Sequence, residues 1–129
     1  MQTSNEILIV DDEAVIAQLL ADVLQDEGYS TRVAHDGASA LLHIMRHRPG
    51  LVLLDVAMPV MLGSDLLVYL RQHGFSDLPI IIMTAGLSPL VYLAQGATEV
   101  LPKPFDVNRV VEKVTHYLPL ERGRAASAE

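Results

Sequence analysis

Ile7-Leu8-Ile9-Val10-Asp11-Asp12-Glu13 is the stretch whose reading decides the fold: four aliphatic residues in a row that stop at three acids. Leu51-Val52-Leu53-Leu54-Asp55 repeats the pattern further along the chain. Apolar runs this short, without polar alternation, are the mark of strands buried on both faces, as in parallel sheets covered by helices. In such sheets functional groups gather beyond the carboxyl ends of the strands. Asp11, Asp12 and Asp55 are therefore expected to share one pocket. Crowded carboxylates resist ionising together unless a cation joins them. An all-oxygen ligand set calls for a hard divalent ion, Mg2+ first and Mn2+ as the alternative.

Two further strand ends complete the set. Pro79-Ile80-Ile81-Ile82-Met83 runs into Thr84-Ala85, and Glu99-Val100-Leu101-Pro102 runs into Lys103-Pro104-Phe105. The pocket thereby gains a hydroxyl and an ammonium. Carboxylates, a metal ion, a hydroxyl and a lysine together suit a phosphoryl group. The ion and Lys103 neutralise its charge, Thr84 hydrogen-bonds an oxygen, and one carboxylate serves as nucleophile.

Outward from these strands the chain alternates extended and helical segments. Ile16, Leu19, Leu20, Val23 and Leu24 have helical spacing, and Gly28 closes that helix after about residue 27. A short strand follows over about residues 30–34. Asp36-Gly37 opens a second helix built on Ala40, Leu41, Ile44 and Met45, and Pro49-Gly50 breaks the chain before the Asp55 strand. A third helix is expected over about residues 65–72, after Gly63-Ser64. A short fourth helix, with Ser88 as cap and Pro89 in its first turn, can run only to about residue 95 before Gly96. Asp106 caps a fifth helix whose stripe is Val107, Val110, Val111, Val114 and Leu118. Five strand–helix units with short links predict an α/β, doubly wound parallel sheet with helices on both faces. Residues 1–120 are expected to form one domain and 121–129, small and polar, a disordered tail or linker stub.

The 129 residues suffice for a single hydrophobic core. With a net charge of -7 and no Lys/Arg cluster, the chain is not expected to bind nucleic acid directly. It has no cysteine, which excludes disulfide and thiol chemistry. The first residues lack a signal-peptide pattern, and no apolar run approaches membrane-spanning length. A cytoplasmic protein without membrane contact is the expectation. His43 and His47 stand four apart, a spacing that binds zinc in some helices, but no third ligand accompanies them. His35, His73 and His116 show no partner pattern.

At Asp11-Asp12-Glu13, Asp55 with Met58-Pro59 behind it, Thr84-Ala85, Gly96-Ala97 and Lys103-Pro104-Phe105, the chain resembles the receiver domain of two-component response regulators. The resemblance covers about residues 5–118. It implies a flavodoxin-like sheet of strand order 2-1-3-4-5. It implies that Asp55 is the phosphoacceptor, taking a phosphoryl group from a phosphohistidine on a sensor kinase or phosphotransfer protein. Asp12, Asp55 and the backbone carbonyl of Ala57 would hold Mg2+ directly, and Asp11 more often through a water. Thr84, followed by Ala85, matches the switch hydroxyl, and Lys103 the lysine that meets the phosphoryl group. Pro104 would follow a cis peptide bond. The output would be a protein-binding surface, on a monomer or weak homodimer. Such a chain catalyses its own phosphorylation and dephosphorylation without being an enzyme in the usual sense.

Three features depart from the family pattern. Val100 stands three residues before the lysine, where an aromatic ring is common. The stretch from Thr84 to Gly96 is nearly one helical turn short. Ala57 and Gly86 are small where larger or polar side chains are frequent. The first two support an alternative, a phosphorylation-independent interaction scaffold. The intact acid–threonine–lysine set speaks against it.

Overall fold

The computed structural model describes residues 4–56, 63–85 and 89–120. Strands and helices alternate as β1 (Glu6–Val10), α1 (Ala14–Asp26), β2 (Ser30–Ala34), α2 (Gly37–Arg46), β3 (Leu51–Asp55), α3 (Gly63–Gln72), β4 (Ile80–Thr84), α4 (Pro89–Ala94), β5 (Glu99–Pro102) and α5 (Val107–Tyr117). The five strands form one parallel sheet in the order β2-β1-β3-β4-β5. The α/β fold class and the strand order expected from the sequence both stand. The third helix begins at Gly63, two residues before the expected Asp65. Ser88, expected to cap α4, and the tail at residues 121–129 lie outside the described residues.

Alternation along each strand divides the core into two layers. Leu8, Val10, Val52, Leu54, Ile80 and Ile82 face Ala40 and Ile44 of α2 and Leu66, Leu67 and Leu70 of α3. Ile7, Ile9, Leu51, Leu53, Ile81 and Met83 face Ala17, Leu20, Ala21 and Leu24 of α1, with Val110 and Val114 of α5. Every residue of β3 and β4 is buried, so the unbroken apolar runs reflect cover on both faces. Helix ends follow local chemistry. The Asp36 side chain accepts from Ser39 N at 2.7 Å to start α2, and Asp106 accepts from Asn108 N at 2.8 Å to start α5. Gly28, with φ 110°, ends α1 in the left-handed region that glycine tolerates.

The attachment of α4 differs from that of the other helices. None of its six residues is buried, and Tyr92 alone packs partly against the core, beside Val100. Leu90, Val91 and Leu93 face solvent. Its C-terminal end is held instead by Arg71 at the end of α3. The half-buried guanidinium donates to the carbonyls of Gly96 (2.8 Å), Phe75 and Leu78 (2.7 Å), and to Thr98 Oγ1 (3.3 Å). Thr98 Oγ1 in turn accepts from Ile80 N at 2.9 Å. One side chain thus ties together the loops that enter β4 and β5. Gly96 is required here twice over: its φ is 110°, and a Cβ would come within 2.8 Å of Arg71 Cγ. Replacing Arg71 by Met keeps the stem but removes every donor, leaving several inward carbonyls unsatisfied. The expected loss is about 2–4 kcal/mol of unfolding free energy. Urea denaturation checks this; an unchanged midpoint would show that the bracket contributes nothing.

Candidate phosphoryl and metal site

Strand register builds the site. Val10 is level with Leu54 across the β1–β3 pair, so the residues that follow, Asp11 and Asp55, emerge side by side. Asp55 is level with Met83, which brings Thr84 next to it, and Thr84 is level with Pro102, which brings in Lys103. Four residues far apart in sequence therefore meet at the carboxyl-terminal end of the sheet because each strand ends where its neighbour does. Asp11, Asp55 and Thr84 are buried, Asp12 is exposed and Lys103 is half-buried. Carboxylate oxygens of Asp11, Asp12 and Asp55 all lie within 4.8 Å of one another. Lys103 Nζ stands 3.3 Å from Asp55 Oδ2. The Lys103–Pro104 peptide bond is cis, as the sequence led one to expect, and Lys103 N donates to Thr84 O at 2.7 Å.

Asp11 is held on three sides. Its N–H donates to Ala34 O at 3.0 Å, and its Oδ1 accepts from Glu13 N at 2.9 Å. Its carbonyl lies 3.1 Å from His35 Nδ1. The remaining oxygen, Oδ2, is buried and receives no hydrogen bond among the described residues. An orphaned buried carboxylate oxygen beside two further carboxylates fits a divalent cation, because the cation would supply the missing partner. Asp11, Asp12 and Asp55 are the side chains that would hold it. Ala57, whose carbonyl was expected to join them, lies outside the described residues, as do Met58, Pro59 and Gly86. Glu13 is the exposed residue at the start of α1, with no side-chain capping bond, and it does not enter the cluster.

His35 was not legible as part of this site. It stands alone in sequence, and only the pairing of β2 with β1 brings it to Asp11. Among the described residues no third ligand joins His43 and His47. Arg32 can only donate, and its guanidinium lies 3.0 Å from His43 Nδ1, so that ring nitrogen is used as an acceptor. Among the described residues the sole cluster able to hold a metal ion is Asp11, Asp12 and Asp55.

Burial, reinforced by the neighbouring Asp55 charge, pushes the Asp11 carboxyl up from 3.8 to about 6, although Glu13 N and Lys103 both pull it down. The sign follows from linkage. With its folded-state pKa raised, Asp11 holds a proton in the native state that the unfolded chain has lost. Metal-free stability therefore falls as pH rises from about 4 through about 6. Two outcomes are expected. Asp11→Asn makes the metal-free domain more stable at neutral pH by about 1–3 kcal/mol. Divalent-cation affinity of the unaltered protein declines as pH falls through about 6, where the proton competes for Oδ2. Denaturant titration and calorimetric titration with Mg2+ at several pH values check both.

Comparison with known proteins agrees with this geometry. The family model described as the response regulator receiver domain matches residues 7–115. The DNA-binding response regulator MtrA of Mycolicibacterium paratuberculosis is 40% identical over 111 residues, 84% of this chain and 48% of that protein. The response regulator MprA of Mycobacterium bovis is 39% identical over 114 residues, 86% of this chain and 49% of that protein. The chain thus spans about half the length of the curated relatives it matches. The chemotaxis protein CheY4 of Vibrio cholerae superposes with a TM-score of 0.81 at 34% identity, covering 89% of this chain and 99% of that one. The receiver domain of NtrX from Brucella abortus superposes at 0.80 and 32% identity, covering 87% and 97%.

Proposed function

We propose that this chain, which belongs to the response regulator receiver domain family, is a phosphoacceptor switch in which Asp55 takes a phosphoryl group from a phosphohistidine donor. The observation that carries this reading is the convergence of Asp11, Asp12, Asp55 and Lys103 at the carboxyl ends of the strands, with Asp11 Oδ2 buried and without a hydrogen-bond partner. An Asp55 carboxylate oxygen attacks the phosphorus in line. An O–P bond forms, the P–N bond of the donor breaks, and the electron pair leaves with the imidazole nitrogen. Lys103 Nζ, 3.3 Å from Asp55 Oδ2, takes up charge on the transferred group, and Thr84, the next residue along β4 from the partner of Asp55, hydrogen-bonds one of its oxygens through its hydroxyl. Asp11, Asp12 and Asp55 would hold Mg2+, which would supply positive charge to offset that of the incoming phosphoryl group. Water later cleaves the aspartyl phosphate, so the chain catalyses its own phosphorylation and dephosphorylation without being an enzyme in the usual sense.

The donor is a histidine kinase or histidine phosphotransfer protein, and the setting is cytoplasmic. Among the described residues no helix is long and apolar enough to cross a membrane, which is compatible with that setting. The output is a protein-binding surface. A second reading, a receiver fold used as a phosphorylation-independent scaffold, is favoured by Val100, which offers no ring to couple Thr84 to the surface.

Intact mass after incubation with acetyl phosphate separates the two. A Mg2+-dependent gain of one phosphoryl group, absent in Asp55→Asn, is expected. Lys103→Ala is expected to keep Mg2+ binding while phosphorylation no longer alters partner binding. Full labelling of Asp55→Asn would sink the assignment, and no labelling of the unaltered protein by acetyl phosphate or by phosphohistidine donors would favour the scaffold.

A further inference from the structure

The β1–α1 acidic loop must hold its carboxylates in place against their mutual repulsion, and within the loop the bond from Glu13 N to Asp11 Oδ1 is the side-chain restraint. Asp12 and Glu13 are exposed, and no capping bond from the Glu13 side chain starts α1. What further restrains the loop comes from the end of β2. Ala34 O accepts from Asp11 N at 3.0 Å, and His35 Nδ1 lies 3.1 Å from Asp11 O. A carbonyl oxygen can only accept, so the proton of this bond is on His35 Nδ1. Asp11 is thereby gripped at both of its backbone polar groups by consecutive residues of one neighbouring segment.

With its main chain held at N and O, and Oδ1 occupied by Glu13 N, the Asp11 side chain has one way to present Oδ2, toward Asp12 and Asp55. On that basis we propose that His35 is a positioning residue for the divalent-cation site, acting through the Asp11 carbonyl rather than touching the cation. The inference rests on the reading of Asp11, Asp12 and Asp55 as that site. Asp36, the next residue, caps α2 through Ser39 N, so His35 projects from a fixed point where β2 turns into α2. The ring is exposed, so its removal leaves no cavity in the core. The same exposure makes its effect separable from folding.

Groups that orient metal ligands from behind typically change affinity about 10–100-fold when removed. His35 acts on the ligand's backbone, and the lower end, about tenfold, is expected. The test is calorimetric titration of Mg2+ into the unaltered protein, His35→Ala and His35→Asn, with metal-free amide hydrogen exchange and thermal unfolding on each. The Asn side-chain nitrogen occupies the same branch position as His Nδ1 and can donate to the same carbonyl. The expected result has four parts: His35→Ala binds Mg2+ about tenfold more weakly, its Asp12 and Glu13 amides exchange faster, its melting temperature hardly moves, and His35→Asn restores affinity and protection. Unchanged affinity in His35→Ala, with the unaltered protein binding normally, overturns the role of His35 and leaves the metal site standing. Weakening that His35→Asn fails to restore, or that accompanies a large fall in melting temperature, overturns it as well, since the bond to Asp11 O would then not be the cause. An unaltered protein that binds no Mg2+ removes the site and the inference with it.

Discussion

Parallel pairing of β1 with β3 is the constraint on which the rest of the site depends. It sets Val10 level with Leu54 and so delivers two carboxylates, Asp11 and Asp55, to adjacent places at the carboxyl-terminal end of the sheet. A shift of one residue in that register would turn the aliphatic side chains of a strand toward the wrong layer. Both layers are filled with large buried side chains, Leu8, Leu54, Leu66 and Leu67 in one, Ile7, Ile9, Leu51 and Leu53 in the other. The hydrophobic core therefore enforces an arrangement that electrostatics alone would reject.

That arrangement lowers stability in the absence of a cation. A buried carboxyl group with an unsatisfied oxygen and a like charge beside it is held partly protonated near pH 6. Lys103 offsets part of the repulsion but sits on the Asp55 side of the cluster. The orphaned Asp11 Oδ2, beside the carboxylates of Asp12 and Asp55, fits a small hard cation. The exposed members of the site, Asp12 and the partly accessible Lys103, leave an approach open from solvent. Stability and function pull in opposite directions at this end of the sheet, and the well-packed sheet beneath carries the cost.

The fold was legible because its signals are local. Unbroken apolar runs marked β1, β3 and β4, helical spacing marked α1 and α5, and Asp36, Asp106 and Gly28 marked ends by side-chain or backbone chemistry. The start of α3 was placed two residues late, since Gly63 and Ser64 read as breakers yet join the helix. The acidic cluster, Thr84 and Lys103 were legible from their places at strand ends. His35 was not, because its contact depends on the β1–β2 register and on a backbone carbonyl, which no residue type announces. Arg71 was equally silent: its partners are main-chain carbonyls and one hydroxyl, scattered over residues 75–98.

The same packing decides how loosely α4 is attached. Val100 and Tyr92 share the core layer that lies against α4, and Tyr92 is the single inward anchor of that helix. Arg71 pins the chain just past the C-terminal end of α4 through Gly96 O. On the proposed function, the carboxyl-terminal end of the sheet would assemble a cation and a phosphoryl group around Asp55. The most direct measurement is a crystal structure grown with Mg2+ and beryllofluoride, which imitates a phosphoryl group on a carboxylate. The account predicts beryllium on an Asp55 oxygen, Mg2+ bridging it to the Asp11 and Asp12 side, and Lys103 Nζ on a fluoride. An Asp55 carboxylate left unmodified at saturating concentrations, or a Mg2+ ion bound away from these three carboxylates, would contradict it.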